Sequence, residues 1–424
     1  MFSAAVGLYQ NQLERIPNNI KPERIIFVSM QFQFYVPIEI VEVIIDYLHN
    51  DKEALKACSL VSRRWVFSAR YHLVYPIKLH HKNISDFLDL LQSPCSKIAP
   101  SIRDLSFLSI VEERDWIPSA LSTIEKHLTH VTSLTLHGVR WSRLDSTTTA
   151  SFFRGFQSVT HLTIKAGAFS SFPQCVEFLC SFPFLTTLTA GKCQWDSNTA
   201  APPSARFTLS RRLTTLAIDT PPNTLTQWLT NQPCARTLRK VSIEFIDTDH
   251  ATSVRIFLRK IKARDVQAFR VGFMEISGHR NTTHREFDLG EFTKLHEVTV
   301  VVGILEECAF GDWSPHDLNW VAPFLSKVSS ESLVAVKLRF LVSETHSLDL
   351  KLNWKELDRI FNLPSFSKLR KLTFSVAVPY VAGMKDEEGW VCNHFEYLVN
   401  TRLPRCSKRG IVRTEHGLEQ SIWS

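Results

Sequence analysis

No run of apolar residues reaches the roughly 18 needed for a membrane-spanning helix, so such a span is excluded. The first 35 residues lack a secretory pattern, because their apolar runs are short and are broken by Glu14, Arg15, Lys21, Glu23 and Arg24. The chain is therefore expected to stay inside the cell, in cytoplasm or nucleus. Its nine cysteines are odd in number and have no framework spacing. They exclude a disulfide scaffold and read as reduced thiols serving as small buried apolar groups. Also missing are a phosphate-cradling glycine loop, a G-x-S-x-G elbow and an H-E-x-x-H pair. No catalytic residue, cofactor or metal is assigned on this basis.

What is present points to a chain of more than one part. At 424 residues a single globular core is not expected, although an array that grows one layer at a time can absorb such a length. The stretch from Val36 to Trp65 is organised differently from the rest. Ile40, Val43, Ile44 and Leu48 fall three or four apart and predict one apolar face of a helix that begins just after Pro37. Asn50 followed by Glu53 reads as the cap of a second helix, with Leu55, Ala57 and Cys58 on its buried side. Arg63, Arg64 and Trp65 open a third. Three short helices cannot cover every apolar side chain of IVEVIIDYL, so a patch should remain for a partner.

The order and spacing of these motifs resemble an F-box, the module that anchors substrate receptors to the Skp adaptor of cullin–RING ubiquitin ligases. The opening motif of the family is matched by Val36, Pro37, Ile38, Glu39 and Ile40, its helix by Ile44, Ile45, Asp46 and Leu48, and its closing motif by Cys58, Leu60, Val61, Ser62 and Trp65. The wording is similar to the variant common in fungal F-box proteins. Val36 replaces the usual leucine, a loss of one methylene. The resemblance implies that Val36, Pro37, Ile38, Ile40, Ile44, Ile45, Leu48, Leu55, Cys58, Val61 and Trp65 bind the Skp adaptor, and through it a cullin–RING ligase.

Beyond residue 100 a phrase of the form apolar-x-x-apolar-x-apolar recurs, beginning with Ile102/Leu105/Phe107 and ending with Leu369/Leu372/Phe374. The central residues of its ten copies are separated by 29, 28, 26, 28, 25, 28, 29, 38 and 36 positions. This period matches leucine-rich repeats, each a strand plus a helical return. Helical spacing fills the intervals, as in Phe152, Phe153 and Phe156, Val176 and Leu179, Trp228 and Leu229, and Phe324, Leu325 and Val328. The asparagine or cysteine that the family places after the strand is matched clearly only by Cys193, so a continuous polar ladder there is not expected. The long final intervals predict insertions at 306–320 and around Glu344 to Lys351. Leu403 to Val412 is read as a cap over the open sheet edge.

The expected fold is α/β: a small N-terminal three-helix F-box followed by an irregular leucine-rich-repeat solenoid, with a curved parallel sheet and outer helices. The parts are an N-terminal segment over 1–33, the F-box over 34–80, a junction helix over 81–100 containing Phe87, Leu88 and Leu91, and the array with its C-terminal cap over 101–424. The junction should be rigid, since no Gly/Ser-rich linker lies near it.

The excess of 49 Lys and Arg over 42 Asp and Glu is dispersed along the chain, so a nucleic-acid partner is not favoured. Lys165, Lys240, Arg270 and Lys337 lie in or beside strand phrases and are candidates for holding an acidic or phosphorylated protein cargo on the concave face. Cys175, Cys180 and Cys193, with His161 nearby, match no zinc spacing, and the thiols read as buried cysteines of the repeats. His80 and His81 read as surface residues at a helix end. The expected role is that of a non-catalytic substrate-recognition subunit, with a leucine-rich-repeat scaffold or a nucleic-acid-associated regulator as the alternative.

Overall fold

The computed structural model describes residues 37–73, 77–94, 98–109, 116–195, 207–220, 222–246, 248–261, 263–276, 283–305, 318–342, 352–379 and 395–419. The N-terminal segment over 1–33, Val36, and most of both expected insertions, 306–317 and 343–351, lie outside them. The chain divides into two compact units, Met1–Ser68 and Ala69–Ser424.

The first unit contains helices α1 (Ile38–Tyr47) and α2 (Lys52–Val61), and helix α3 (Arg63–Leu73) begins in it. Pro37 stands at the N-cap of α1, where its missing amide costs nothing. The cap of α2 is Asp51, not Asn50: its carboxylate accepts from the Ala54 amide at 3.0 Å. Either residue type can cap, and the carboxylate has the added pull of the helix dipole. The interior face also differs from the expected one. Val41 and Ile45 of α1 and Leu55 and Cys58 of α2 are buried, whereas Ile40, Val43, Ile44 and Ala57 are exposed.

Among the described residues the second unit is built on twelve parallel strands in one open sheet, whose spatial order follows the chain apart from two short strands set aside. The strands are β1 (Ile77–Leu79), β2 (Asp104–Leu108), β3 (Ser133–His137), β4 (His161–Lys165), β6 (Thr187–Gly191) and β8 (Thr215–Asp219). They continue as β9 (Lys240–Ile246), β10 (Ala268–Ile276), β11 (Glu297–Leu305), β12 (Ala335–Val342), β13 (Lys371–Pro379) and β14 (Val412–Glu419). Short strands β5 (Ala168–Phe169) and β7 (Gln194–Trp195) pair beside the main sheet. All ten predicted phrases coincide with β2 to β4, β6 and β8 to β13. The sheet nevertheless starts at Ile77, inside the stretch assigned to the helical module. It also ends on β14, which begins at Val412, the last residue of the expected cap, so the edge of β13 is paired with a further strand. This is a mixed α/β architecture with a large parallel sheet, compatible with a repeat solenoid and not closed into a barrel.

Register explains why one phrase can serve every strand. Leu105, Leu134, Leu162, Leu188, Leu216, Val241, Phe269, Val298, Val336, Leu372 and Val412 stand side by side across the sheet. They share a single apolar cluster with the buried sides of the returns, among them helices Ile117–His127, Ser146–Gly155 and Phe172–Cys180. No unit could bury those side chains alone. Aromatic residues fill the first half of this core: the Trp141 ring lies 4.3 Å from Phe178 and 5.0 Å from Phe152.

A polar ladder exists, but at the opposite end of the strands from the asparagine position. The hydroxyls of Thr132, Thr160, Thr186 and Thr214 donate to the carbonyls of Arg103, Thr132, Thr160 and Thr186, each one unit back, over 3.0 to 3.4 Å. At the other strand ends, Gly138, Ala166, Lys192 and Thr220 adopt positive φ, between 50° and 71°; Phe245 does so within β9, where the register with β10 shifts. This left-handed residue turns the chain out of the strand while its amide reaches the next unit, as from Gly138 to the Lys165 carbonyl and from Ala166 to that of Gly191.

Candidate functional site

Two surfaces stand out, one in each unit. In the helical module, Ile40, Val43, Ile44 and Tyr47 lie at i, i+3, i+4 and i+7, which puts them on one side of α1. They are 51%, 65%, 44% and 88% exposed. Leu60 and Val61 at the end of α2 and Phe67 on α3 are exposed as well. Isolated exposed apolar residues need no explanation, but a four-residue helical stripe does. Of the residues expected to touch an adaptor, Pro37, Ile40, Ile44 and Val61 are exposed, and Ile38, Leu48 and Trp65 are partly so. Ile45, Leu55 and Cys58 are withdrawn from that role, because they form the interior of the module. Val43, Tyr47 and Phe67 were missed. Val43 shares the predicted apolar face with Ile40 and Ile44, but nothing in the local sequence distinguishes the two sides of so apolar a helix.

The second surface is the face of the sheet that the helices leave uncovered, formed by the residues between the apolar positions. The four expected cargo residues separate into two pairs. Lys165 and Lys240 are exposed, and no carboxylate among the described residues lies within ion-pair distance of either. Arg270 is already neutralised: its Nη2 donates to Glu244 Oε2 at 2.9 Å, and its Nε lies 2.8 Å from Oε1, although not along a hydrogen-bond direction. Lys337 is likewise paired with Glu415, which also meets Lys371 at 3.3 Å. These lysines hold the Glu415 carboxyl below its ordinary value, Lys337 most strongly. Lys240 and Arg270 line one shallow hollow of about 170 Å³, together with Ala217, Ser242, Ala268 and Thr299.

A register row completes this face at the ends of the first strands. His137, Lys165, Gly191, Asp219 and Glu244 are successive partners across β3, β4, β6, β8 and β9. Burial pushes the His137 imidazole down, and Lys165 and Lys192 push it further. Burial pushes the Asp219 carboxyl up, and neighbouring Glu244 adds to this against the opposing pull of Thr220, Lys192 and Lys165. His137, Lys192, Asp219 and Glu244 were missed as site residues. A signal for them existed, since all but Lys192 directly follow the last apolar position of a phrase. Farther along, the same face changes character. Phe245, Val301, Leu341 and Ala377 form a second buried apolar cluster there, toward the ends of β9 and β11 to β13, beyond Thr299 and Lys337.

The thiols behave as apolar filling. Burial raises Cys175 well above its ordinary value, Cys180 and Cys234 to about 12, and Cys193 to about 11. Cys175 packs in the helix-side core, while His161 is exposed on the strand. Among the described residues no group of three or more His, Cys, Asp or Glu could hold a metal ion, and no helix is long and apolar enough to cross a membrane.

No family model and no curated protein matches the chain. Among solved structures, a crystallised protein of Bacteroides fragilis from a structural-genomics consortium aligns over 81% of this chain and 75% of its own, at 12% identity and a TM-score of 0.32. A likeness of that degree carries no argument about function.

Proposed function

We propose that the protein is a non-catalytic substrate receptor whose F-box-like module docks on the Skp adaptor of a cullin–RING ubiquitin ligase, while its leucine-rich-repeat-like array holds the target protein. The observation that carries this reading is the stripe Ile40, Val43, Ile44 and Tyr47, left exposed on the helix that the F-box resemblance singles out. Four apolar side chains on one helix face are the form in which helices enter partner grooves. Their burial at about 25 cal/mol per Å² would drive association. The chain itself would perform no acid, base or nucleophilic step. It would raise the effective concentration of a target lysine near a charged conjugating enzyme.

Co-expression of the full chain with the Skp adaptor, followed by pull-down, tests the reading. The native chain should be captured, and a Val43→Asp, Ile44→Asp double variant should lose capture while keeping its thermal transition, since both positions are exposed. Absence of capture by the intact, folded chain would refute the adaptor role and leave the repeat array as a scaffold.

A further inference from the structure

The strand-end row carries charge of both signs in a fixed order. His137 and Lys165 are register partners on β3 and β4, and Lys192 follows the end of β6. Asp219 and Glu244 are partners on β8 and β9. Between the flanks stands Gly191, partner of both Lys165 and Asp219. With adjacent strands about 4.8 Å apart, the backbones of Lys165 and Asp219 are held about 10 Å from each other. Gly191 places no side chain between them; it is itself buried, with the Asp219 side chain at contact distance from where a Cβ would stand. No ion pair among the described residues joins Lys165 or Lys192 to Asp219, so the two flanks do not cancel. This differs from Arg270 and Lys337, whose charges are spent on Glu244 and Glu415.

Immediately before this row runs a second one, of hydroxyls. Thr135, Thr163 and Thr189 are partners across β3, β4 and β6, partly exposed, and end against Ala217 on β8. Such a floor offers donors and acceptors of the kind a polypeptide main chain requires. Nucleic acid is a poor fit, because Asp219, which has no ion pair among the described residues, would repel a phosphate backbone laid along the row, while Glu244 is held by Arg270.

We propose that the row His137–Lys165–Gly191–Asp219–Glu244, with the threonine floor beside it, is a docking strip for an extended protein segment that carries an acidic and a basic side chain two to four residues apart. An extended chain rises about 3.3 Å per residue, so that spacing matches the separation of Lys165 and Asp219 across β6. The acidic side chain sits toward Lys165 and Lys192, and the basic one toward Asp219. The inference rests on the recognition role given to the array, but it does not require adaptor binding.

The test uses the full chain without adaptor and fluorescence anisotropy of labelled Gly/Ser peptides. One peptide carries a Glu-Glu pair followed two residues later by Arg-Arg, and the controls carry four Glu or four Arg. The two-sign peptide should bind at least about tenfold more tightly than either control. Lys165→Glu and Asp219→Lys should each abolish that preference. The Lys165→Glu, Asp219→Lys double variant should restore it, since the peptide can lie in the opposite direction on the swapped row. Equal binding of the three peptides, preference for the four-Glu peptide, or a preference that survives both single variants would overturn the proposal. Pull-down of these variants by the adaptor remains a separate readout, so loss of the ligase reading and loss of this one are distinguishable.

Discussion

Replacing Asp358 by alanine should loosen the last strand of the sheet and little else. Asp358 lies in the helix Trp354–Ile360 and is buried. Its Oδ1 accepts from the Cys406 amide at 3.0 Å and its Oδ2 from the Arg405 amide at 3.2 Å. Those amides belong to the first turn of the helix Pro404–Lys408, where no intrahelical carbonyl can satisfy them. Asp358 thus caps a helix 46 positions away, counting from residue 358 to Pro404, and joins the final two units. Alanine would remove two hydrogen bonds to a charged acceptor and leave the fully buried Cys406 amide without a partner. The desolvation cost of the carboxylate is recovered, for a net loss of about 2–4 kcal/mol.

A neighbouring tie limits the damage, because Arg409 donates to the carbonyls of Phe361, Phe366 and Leu369. Since each unit touches mainly its neighbours, the loss should remain local. Hydrogen exchange followed by mass spectrometry should show amides of Val412–Glu419 exchanging about 30- to 1000-fold faster, with those of Ser133–His137 unchanged. Asp358→Asn, which keeps one carbonyl acceptor, should recover part of the effect. Uniform acceleration across the sheet, or none at the C-terminal end, would refute the reasoning.

The left-handed positions give a paired test. Gly138→Ala should destabilise by several kcal/mol, because φ is +71° and the new Cβ would fall 2.1 Å from the Ser109 carbonyl oxygen, whereas Ala166→Gly, at φ +52°, should be neutral to about 1 kcal/mol stabilising in denaturant unfolding. His137 sets a pH dependence. Its folded value lies below the ordinary 6.5, so the unfolded chain binds more protons there and stability should fall as pH drops through 6.5 toward the folded value. Comparing the unfolding midpoint of the native chain and His137→Gln at pH 7.5 and 5.5 should show a smaller drop in the variant, and equal drops would dismiss the assignment.

Much of the array was legible because its signal is local and repeated. A strand with one buried face needs apolar residues two apart, and ten copies near one period leave little choice of register. Other features carried no such signal. β1 is three residues long, too short to announce itself, yet Ile77, Lys78 and Leu79 pair with Leu105, Ser106 and Phe107. The Leu403–Val412 stretch was read as a cap because its apolar residues do not reveal that β13 has a free edge for β14 to join. The threonine ladder escaped notice because threonine before a strand has many uses, and only stacking makes it a ladder.

The sequence by itself determined the positions of ten strands, the parallel order that helical returns impose, and the three short helices at the front. Tertiary structure decided which side of α1 is covered: Val41 and Ile45 face inward, leaving Ile40, Val43 and Ile44 outside, since a helix apolar on several sides has no preferred interior until its neighbours are placed. It also decided which cations remain unpaired. Glu415 lies 78 residues from Lys337 in sequence, and only the sheet brings it close enough to neutralise that lysine while Lys165 stays free of any such partner among the described residues.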